Sequence, residues 1–345
     1  MKRLLPYIKP YWLLILLALG LLYVMASTNL ALPDYLSQII NIGIQQNGIN
    51  TPVPETIRAS SIEKIALFQT EQERAETLAA FERIEPGTPE SAALVPYYPG
   101  ASLQPVYKLK PLDAAATTSL ENVLTKPLVI LFGFQMMEQN PEQAGSLLSP
   151  ELAERLKSLP AGTDPLSLFS QLPEAQAAQV KAAITQHLNT LEGAILRQMA
   201  VRAVGNEYSA LGVNLQKNQT NYILSIGIRM ILMALLAVAT SIMVSYLASR
   251  TSAGVARDIR AAVFEKVSSF SSAEFNNFST NTLITRTTND VSQVQQVIFM
   301  VIRMAFTAPM IGIGGVIRAI DKSPNMWWLI ALAVGILVMF IMLAF

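Results

Sequence analysis

Four stretches of this chain are apolar over a helix's width of a bilayer, and polar runs separate them. Tyr11–Leu32 (YWLLILLALGLLYVMASTNLAL) is uncharged and about as long as a helix needs to cross the hydrocarbon core. Tyr222–Ala248 holds a single charge, Arg229. A third stretch runs from Val297 to Ile320 with Arg303 and Arg318 near its two ends, and Trp327–Phe345 (WWLIALAVGILVMFIMLAF) carries no charge. The pattern predicts three or four spanning helices, hence an all-α membrane protein. MKRLLPYIKP before the first stretch has the look of a secretory leader. That stretch exceeds a leader's apolar region, however, and continues through LALPDYLSQIINIGI as an amphipathic helix, which favours a retained span.

The polar run between the second and third stretches is more informative than the spans. No proline occurs from Tyr222 to Phe270, so an unbroken helix there would be about 73 Å long. The hydrocarbon core takes about 30 Å. The remainder is expected to project as a stalk, with Val255, Ile259, Val263, Val267 and Phe270 as its packing stripe. Val291, Val294, Ile298, Val301 and Ala305 repeat in threes and fours on the way back. Two long helices are therefore predicted to leave the membrane and return, with SSAEFNNFSTNTL at the tip of the hairpin. Ser and Glu274 offer a short helix start there. Phe275 and Phe278, three apart, either form an exposed docking knob or tuck back between the stalks.

Residues 46–217 read as a soluble, mainly helical insert between the first two spans, punctuated by TPVP, EPGTPE, YYPGASLQP and LPAGTDP. Its best helices are expected over Thr56–Ile84 and Glu174–Val204, the second with Val180, Ile184, Leu188, Leu191 and Ile195 on one stripe. LVILFGF (Leu128–Phe134) is too short to span and reads as core. The expected organisation is thus a first helix in 1–45, the insert in 46–217, and the second to fourth spans in 218–345 with a loop at about 249–296. Lys2, Arg3 and Lys9 put the N-terminus in the cytoplasm, and Arg250, Arg257, Arg260, Lys266 and Arg286 put the loop on the same side. The insert is then extracellular and the protein lies in the plasma membrane. Its 18 Asp and Glu against 13 Lys and Arg are compatible with that.

Composition narrows the chemistry. Net charge is +1 with 14% charged residues, which gives no reason to expect a nucleic-acid partner. There is no cysteine, so disulfides and thiolate metal sites are excluded. His187, the only histidine, lacks a second His or Cys to complete a transition-metal site, and no Asp-rich calcium loop occurs. No metal site and no catalytic residues are expected. No Gly-x-x-x-x-Gly-Lys-Ser/Thr occurs either. GIGGVIR (Gly312–Arg318) lies in the third span, where its glycines suit close helix packing.

SAEFNNFSTNTLITRTTNDVSQVQ resembles the first intracellular loop of the transmembrane domain of ABC exporters. That family shows an aromatic, a few polar residues, Ser/Thr-Gly-x-Leu, then a basic residue and an Asn-Asp-like pair; Phe275, Ser279, Thr280, Leu283, Arg286, Asn289 and Asp290 fit it. Asn281 stands where Gly is usual, and Asn tolerates a left-handed turn there. LALPDYLSQIINIGIQQNGI is similar to the end of the first helix in heterodimeric multidrug exporters of Gram-positive bacteria, some of which carry a large extracellular insert. The resemblance covers residues 1–46 and 220–345. It implies a coupling helix seated on a nucleotide-binding domain, formed by Phe275, Asn276, Asn277, Phe278, Ser279, Thr280, Asn281, Thr282 and Leu283. Arg286 and Asp290 are then a brace on the returning helix or only a surface ion pair. It also implies a second half-transporter subunit, and ATP with Mg2+ held by a nucleotide-binding domain. We expect that domain and the remaining spans to follow Phe345.

Substrate contacts are the least determined feature. Arg229 and Arg303 are functional candidates inside spans, with snorkelling to an interface as the rival reading. Met230, Met233, Met300, Met304 and Met310, with Phe306, can line a pliable apolar cavity or face lipid. Of these, Arg229, Met233, Arg303 and Phe306 form the candidate cavity for a hydrophobic small molecule. A membrane sensor with an extracellular ligand-binding domain is the alternative. The third and fourth spans and the loop pattern count against it.

Overall fold

The computed structural model describes residues 4–139, 169, 173–271, 280–322 and 327–344. The described chain forms two compact units, Met1–Leu36 with Gly227–Phe345, and Ser37–Ile226. Three continuous helical stretches, Leu5–Ile44, Leu215–Ser268 and Asn281–Asp321, are long and apolar enough to cross a membrane, and Trp327–Ala344 adds a shorter uncharged helix. The second stretch is a single α-helix of 54 residues. At 1.5 Å per residue it is about 81 Å long, far more than the hydrocarbon core requires.

In the membrane-helix unit, Ala18, Leu247, Ala248, Val255, Ile298 and Ile302 are buried together, with Tyr11, Ile259 and Val294 against them. The expected stripes are thus present, with one shift of phase. Ile302 is buried and Val301 is 42% exposed, since Val294, Ile298 and Ile302 follow one another four apart down the buried face; residues Val301–Ala305 wind as a π-turn. Pro309 explains the wide turn: its ring crowds the carbonyl four residues back, at Ala305, and it supplies no N–H to it. The outward faces carry large exposed apolar side chains, among them Leu232, Leu235, Ile242, Ile313 and Ile317.

A latch closes the N-terminal end of this unit. The Tyr11 side chain lies against Gly254, where a Cβ would come within 2.6 Å of two ring carbons and the hydroxyl oxygen. The Tyr11 hydroxyl donates to Asp258 Oδ2 at 2.8 Å, and Arg257 Nε donates to Asp258 Oδ1 at 2.9 Å.

The unit Ser37–Ile226 differs most from the sequence expectation. Thr56–Ile84 does not form one helix. It breaks into strand β1 (Thr56–Arg58), helices Ala59–Ala66 and Glu71–Ala80, and strand β2 (Phe81–Ile84). Thr70 causes the second helix start: its Oγ accepts from Glu73 N while Glu73 Oε2 accepts from Thr70 N at 2.8 Å. Strand β3 (Val106–Leu109) lies between β1 and β2, antiparallel to both, with Arg58 and Ile84 opposite Val106. Glu174–Val204 is likewise two helices, Glu174–Asn189 and Gly193–Ala210, parted at Thr190–Glu192. Helix Ala114–Gln139 runs through the core, where Leu120, Leu124, Leu128 and Leu131 meet Ile184, Leu188, Ala200 and Val204. LVILFGF is core, as its length suggested.

Two polar features organise this unit. Glu207 is fully buried and receives Arg58 Nε at 2.9 Å and Nη2 at 2.8 Å, Ser61 Oγ at 2.9 Å and Gln135 Nε2 at 3.3 Å. The Arg58 guanidinium is held above its ordinary pKa by its hydrogen bonds to Glu207. Tyr98 and Tyr208 pack edge to face with centroids 5.5 Å apart. The Tyr98 hydroxyl donates to Glu55 Oε2 at 3.1 Å, and the Tyr208 oxygen accepts from Glu55 N at 2.9 Å.

Burial is the main cause that keeps both phenols protonated: Tyr208 is pushed up to about 12, and Tyr98 is also pushed up. Below pH ~10 both phenols are neutral whether folded or unfolded, so their contribution is fully present. As pH rises from ~10 towards the folded value, only the unfolded chain releases those protons. Stability of the unit is therefore expected to fall by about 1.4 kcal/mol per tyrosine per pH unit in that window. Far-UV circular dichroism melts at pH 9 and pH 11 measure the drop, and Tyr98→Phe with Tyr208→Phe is expected to flatten it.

The two ends of the unit lie side by side. Asn218 Nδ2 donates to the Asn47 carbonyl at 2.8 Å. Asn47 and Gly48 take positive φ, 52° and 79°, and a Cβ at Gly48 would meet Tyr222 Cβ at 2.9 Å. The left-handed turn and the close approach both require a residue without a Cβ at position 48.

Candidate loop and cleft

Of the coupling-helix residues, Phe275, Asn276, Asn277, Phe278 and Ser279 lie outside the described residues. Thr280, Asn281, Thr282 and Leu283 belong to the helix Thr280–Thr285. Asn281 does not make the left-handed turn expected of it; it is helical, and its carbonyl accepts from Thr285 Oγ at 2.9 Å. The hydroxyls of this run explain why so polar a sequence stays helical. Thr287 donates to the Leu283 carbonyl, Thr288 to Ile284 and Ser292 to Thr288, each within 2.8 Å. Such back-bonding satisfies the hydroxyls without leaving the helix and loosens it locally.

Arg286–Asp290 winds as a π-turn. Among the described residues no ion pair joins Arg286 to Asp290. Arg286 instead faces a groove of about 310 Å³ with Tyr7, Lys266, Phe270 and Leu283.

The four candidate cavity residues do not come together. Arg229 and Met233 line none of the three described clefts. Phe306 lines a cleft of about 510 Å³ with Tyr23, Met310 and Ile313, closed at one end by Arg318. Arg318 donates to Asp34 Oδ2 at 2.9 Å and to the Leu30 carbonyl, tying the third helical stretch to the first. Arg303 lines a separate cleft of about 420 Å³ among Leu22, Met25, Ser241, Val244, Thr307 and Ile311, contributed by all three stretches. The Asp34–Arg318 pair escaped the sequence reading because 284 residues separate its members and nothing local links them. Among the described residues, no three His, Asp or Glu side chains gather in a metal-binding group.

A helix far longer than a bilayer is thick, a polar loop after it and a return into apolar sequence all fall in one part of the chain, and that part has known relatives. Residues 209–345 match the family of ABC transporter transmembrane regions. Curated relatives named as ABC transporter ATP-binding proteins match as well. An uncharacterized ABC transporter ATP-binding protein of Mycobacterium tuberculosis is 40% identical over 121 residues, 35% of this chain and 21% of the relative. One from Bacillus subtilis is 34% identical over 116 residues, 34% of this chain and 20% of the relative. A putative one from Mycoplasma genitalium is 30% identical over 114 residues. The aligned part of this chain spans about a fifth of the length of these curated ABC transporter relatives. Apolar helices together with the ABC transporter transmembrane region make this a multi-pass membrane protein with an all-α membrane fold.

Proposed function

We propose that this chain supplies membrane-spanning helices and the first cytoplasmic loop of an ATP-driven ABC exporter for hydrophobic small molecules, working with a second half-transporter subunit as a heterodimer. The N-terminus and residues 249–296 are cytoplasmic in this reading, and residues 46–217 are extracellular. ATP and Mg2+ bind a nucleotide-binding domain, against which Phe275–Leu283 seats. Closure of that domain pushes on the loop, and the two long helices carry the movement into the bilayer.

The observation that carries the reading is the family match over 209–345, the part of the chain that holds the 54-residue helix and the return from its polar loop. A helix about 81 Å long stays stiff well beyond the hydrocarbon core, so a push at its far end reaches the membrane. The three-residue spacing of Phe275 and Phe278 gives a short helix an apolar face to present to a partner.

The test is Phe275→Asp in the complete transporter reconstituted in liposomes. ATP hydrolysis is expected to persist while ATP-driven dye efflux falls by about tenfold or more, since a charge replaces the apolar contact. Efflux at the unmodified rate per ATP hydrolysed removes Phe275 from the coupling contact.

A further inference from the structure

The corner Gln46–Ile49 is built on the one Asn-Gly pair in the chain, Asn47–Gly48. Ile49 N donates across it to the Gln46 carbonyl at 2.9 Å, and both central residues take positive φ. That is the pattern of a type I′ turn, for which Asn-Gly is a favoured filling. The same pair is chemically labile. Glycine has no side chain to shield its amide nitrogen from the carboxamide of the residue before it. Attack of Gly48 N on Asn47 Cγ closes a succinimide ring and expels the carboxamide nitrogen as ammonia, which carries off the Gly48 amide proton. Water then opens the ring at either carbonyl. One opening leaves aspartate, and the other leaves isoaspartate, with the main chain rerouted through Cγ.

In the folded unit one reactant is free and the other is held. Asn47 and Gly48 are partly exposed, so water reaches the corner. Among the described residues the Asn47 carboxamide has no hydrogen-bond partner, so nothing pins the electrophile. The nucleophile belongs to a peptide plane that is bonded at both edges. Its N–H, on Gly48, donates to the Ile42 carbonyl at 2.8 Å. Its carbonyl, on Asn47, accepts from Asn218 Nδ2 at 2.8 Å. Attack needs that plane to swing toward Cγ and to give up the N–H, and each bond opposes the swing. Packing opposes it too, since a Cβ on Gly48 would lie 2.9 Å from Tyr222 Cβ and 3.1 Å from the Asn218 carbonyl oxygen.

We propose that Asn47 is a site of spontaneous deamidation, held shut by the peptide-plane bonds to Ile42 and Asn218 and opened when Asn218 lets go. The modification then records a parting of the two ends of the unit Ser37–Ile226. It also fixes that parting. Isoaspartate adds a methylene to the main chain at a corner with no room for one more carbon, and it leaves a carboxylate close to the Asn218 carbonyl. Neither fits the closed junction, so a modified corner does not close again.

The experiment incubates the intact protein in nanodiscs at neutral pH and follows, by mass spectrometry, conversion of amide to acid at Asn47. A free peptide of residues 44–51, IQQNGINT, gives the rate with nothing held. The unmodified protein is expected to convert about a hundredfold more slowly than the peptide, since two hydrogen bonds must open together. Asn218→Ala removes one of them and is expected to convert about tenfold faster than the unmodified protein. Asn218→Asp, which keeps the size and replaces the donor by an acceptor, is expected to do the same. Tyr98→Phe removes one hydrogen bond elsewhere in the unit and is expected to leave the rate at Asn47 unchanged. Conversion of the unmodified protein at the peptide's rate overturns the inference, because the corner then holds nothing. Conversion of both Asn218 variants at the unmodified rate overturns it as well. So does an acceleration shared equally by Tyr98→Phe, which assigns the opening to the unit as a whole.

Discussion

Arg58→Met is expected to destabilise the Ser37–Ile226 unit by about 3–5 kcal/mol, because it strands a buried carboxylate. Glu207 has no exposed surface, and Arg58 supplies both of its charged hydrogen bonds. Without Arg58 the carboxylate keeps only Ser61 and Gln135, two neutral donors that do not offset a desolvated charge. The pair also joins β1 to the helix Gly193–Ala210 across 149 residues of sequence, so its loss loosens long-range packing as well as local charge. For a unit this size the change corresponds to a melting shift of roughly 10 °C. All three tryptophans, Trp12, Trp327 and Trp328, lie outside this unit, so their fluorescence does not follow its unfolding. Hydrogen exchange at amides of Gly193–Ala210 in the intact protein does. Arg58→Met combined with Glu207→Leu is expected to regain much of the stability, since replacing a whole buried pair is far milder than breaking it. A single variant that exchanges like the unmodified protein shows Glu207 to be hydrated.

Gly254→Leu is expected to release the N-terminal helical segment Leu5–Tyr11 from the long helix. A Cβ alone at position 254 falls 2.6 Å from Tyr11 Cε1, Cζ and Oη, and the ring cannot slide away without breaking its 2.8 Å bond to Asp258. Overpacking of this kind costs about 1–3 kcal/mol for one added carbon, and a leucine side chain exceeds what the ring can yield. Tyr11→Phe keeps the ring on the glycine and removes only the hydroxyl, at about 1 kcal/mol. Hydrogen exchange over residues 5–11 in nanodiscs is thus expected to accelerate strongly in Gly254→Leu and mildly in Tyr11→Phe. Equal exchange in Gly254→Leu and the unmodified protein assigns the anchoring to Leu14, Ile15 and Ala18 instead.

The spans were legible because their cause is local and long: uncharged runs such as Trp327–Phe345 and a proline-free Tyr222–Phe270 leave a chain few options in lipid. Long-range pairing was not legible. Arg58 with Glu207, Tyr11 with Asp258 and Asp34 with Arg318 each look like ordinary surface residues until folding brings together positions 149, 247 and 284 apart. The sheet was missed for a different reason. Its strands are three and four residues long, too short for an alternating pattern, and the residues between Arg58 and Phe81 do have helical spacing. The π-turns at Arg286–Asp290 and Val301–Ala305 shift helical phase by a fraction of a turn, which a three-four repeat does not register. Within the candidate site, composition does not show which side chains share a cleft: Arg303 and Phe306 line different ones, each built from residues far apart in the sequence.

The meeting of Asn47 with Asn218 has a bearing on ancestry. A segment whose two ends touch through one hydrogen bond can be spliced into a short loop, or deleted from it, without stretching the helices on either side. The 170 residues between those two asparagines thus occupy a place where a gene can acquire or shed a passenger while the rest of its product keeps one geometry. The positive φ at Asn47 and Gly48 makes the sharp left-handed corner at which the chain enters that segment.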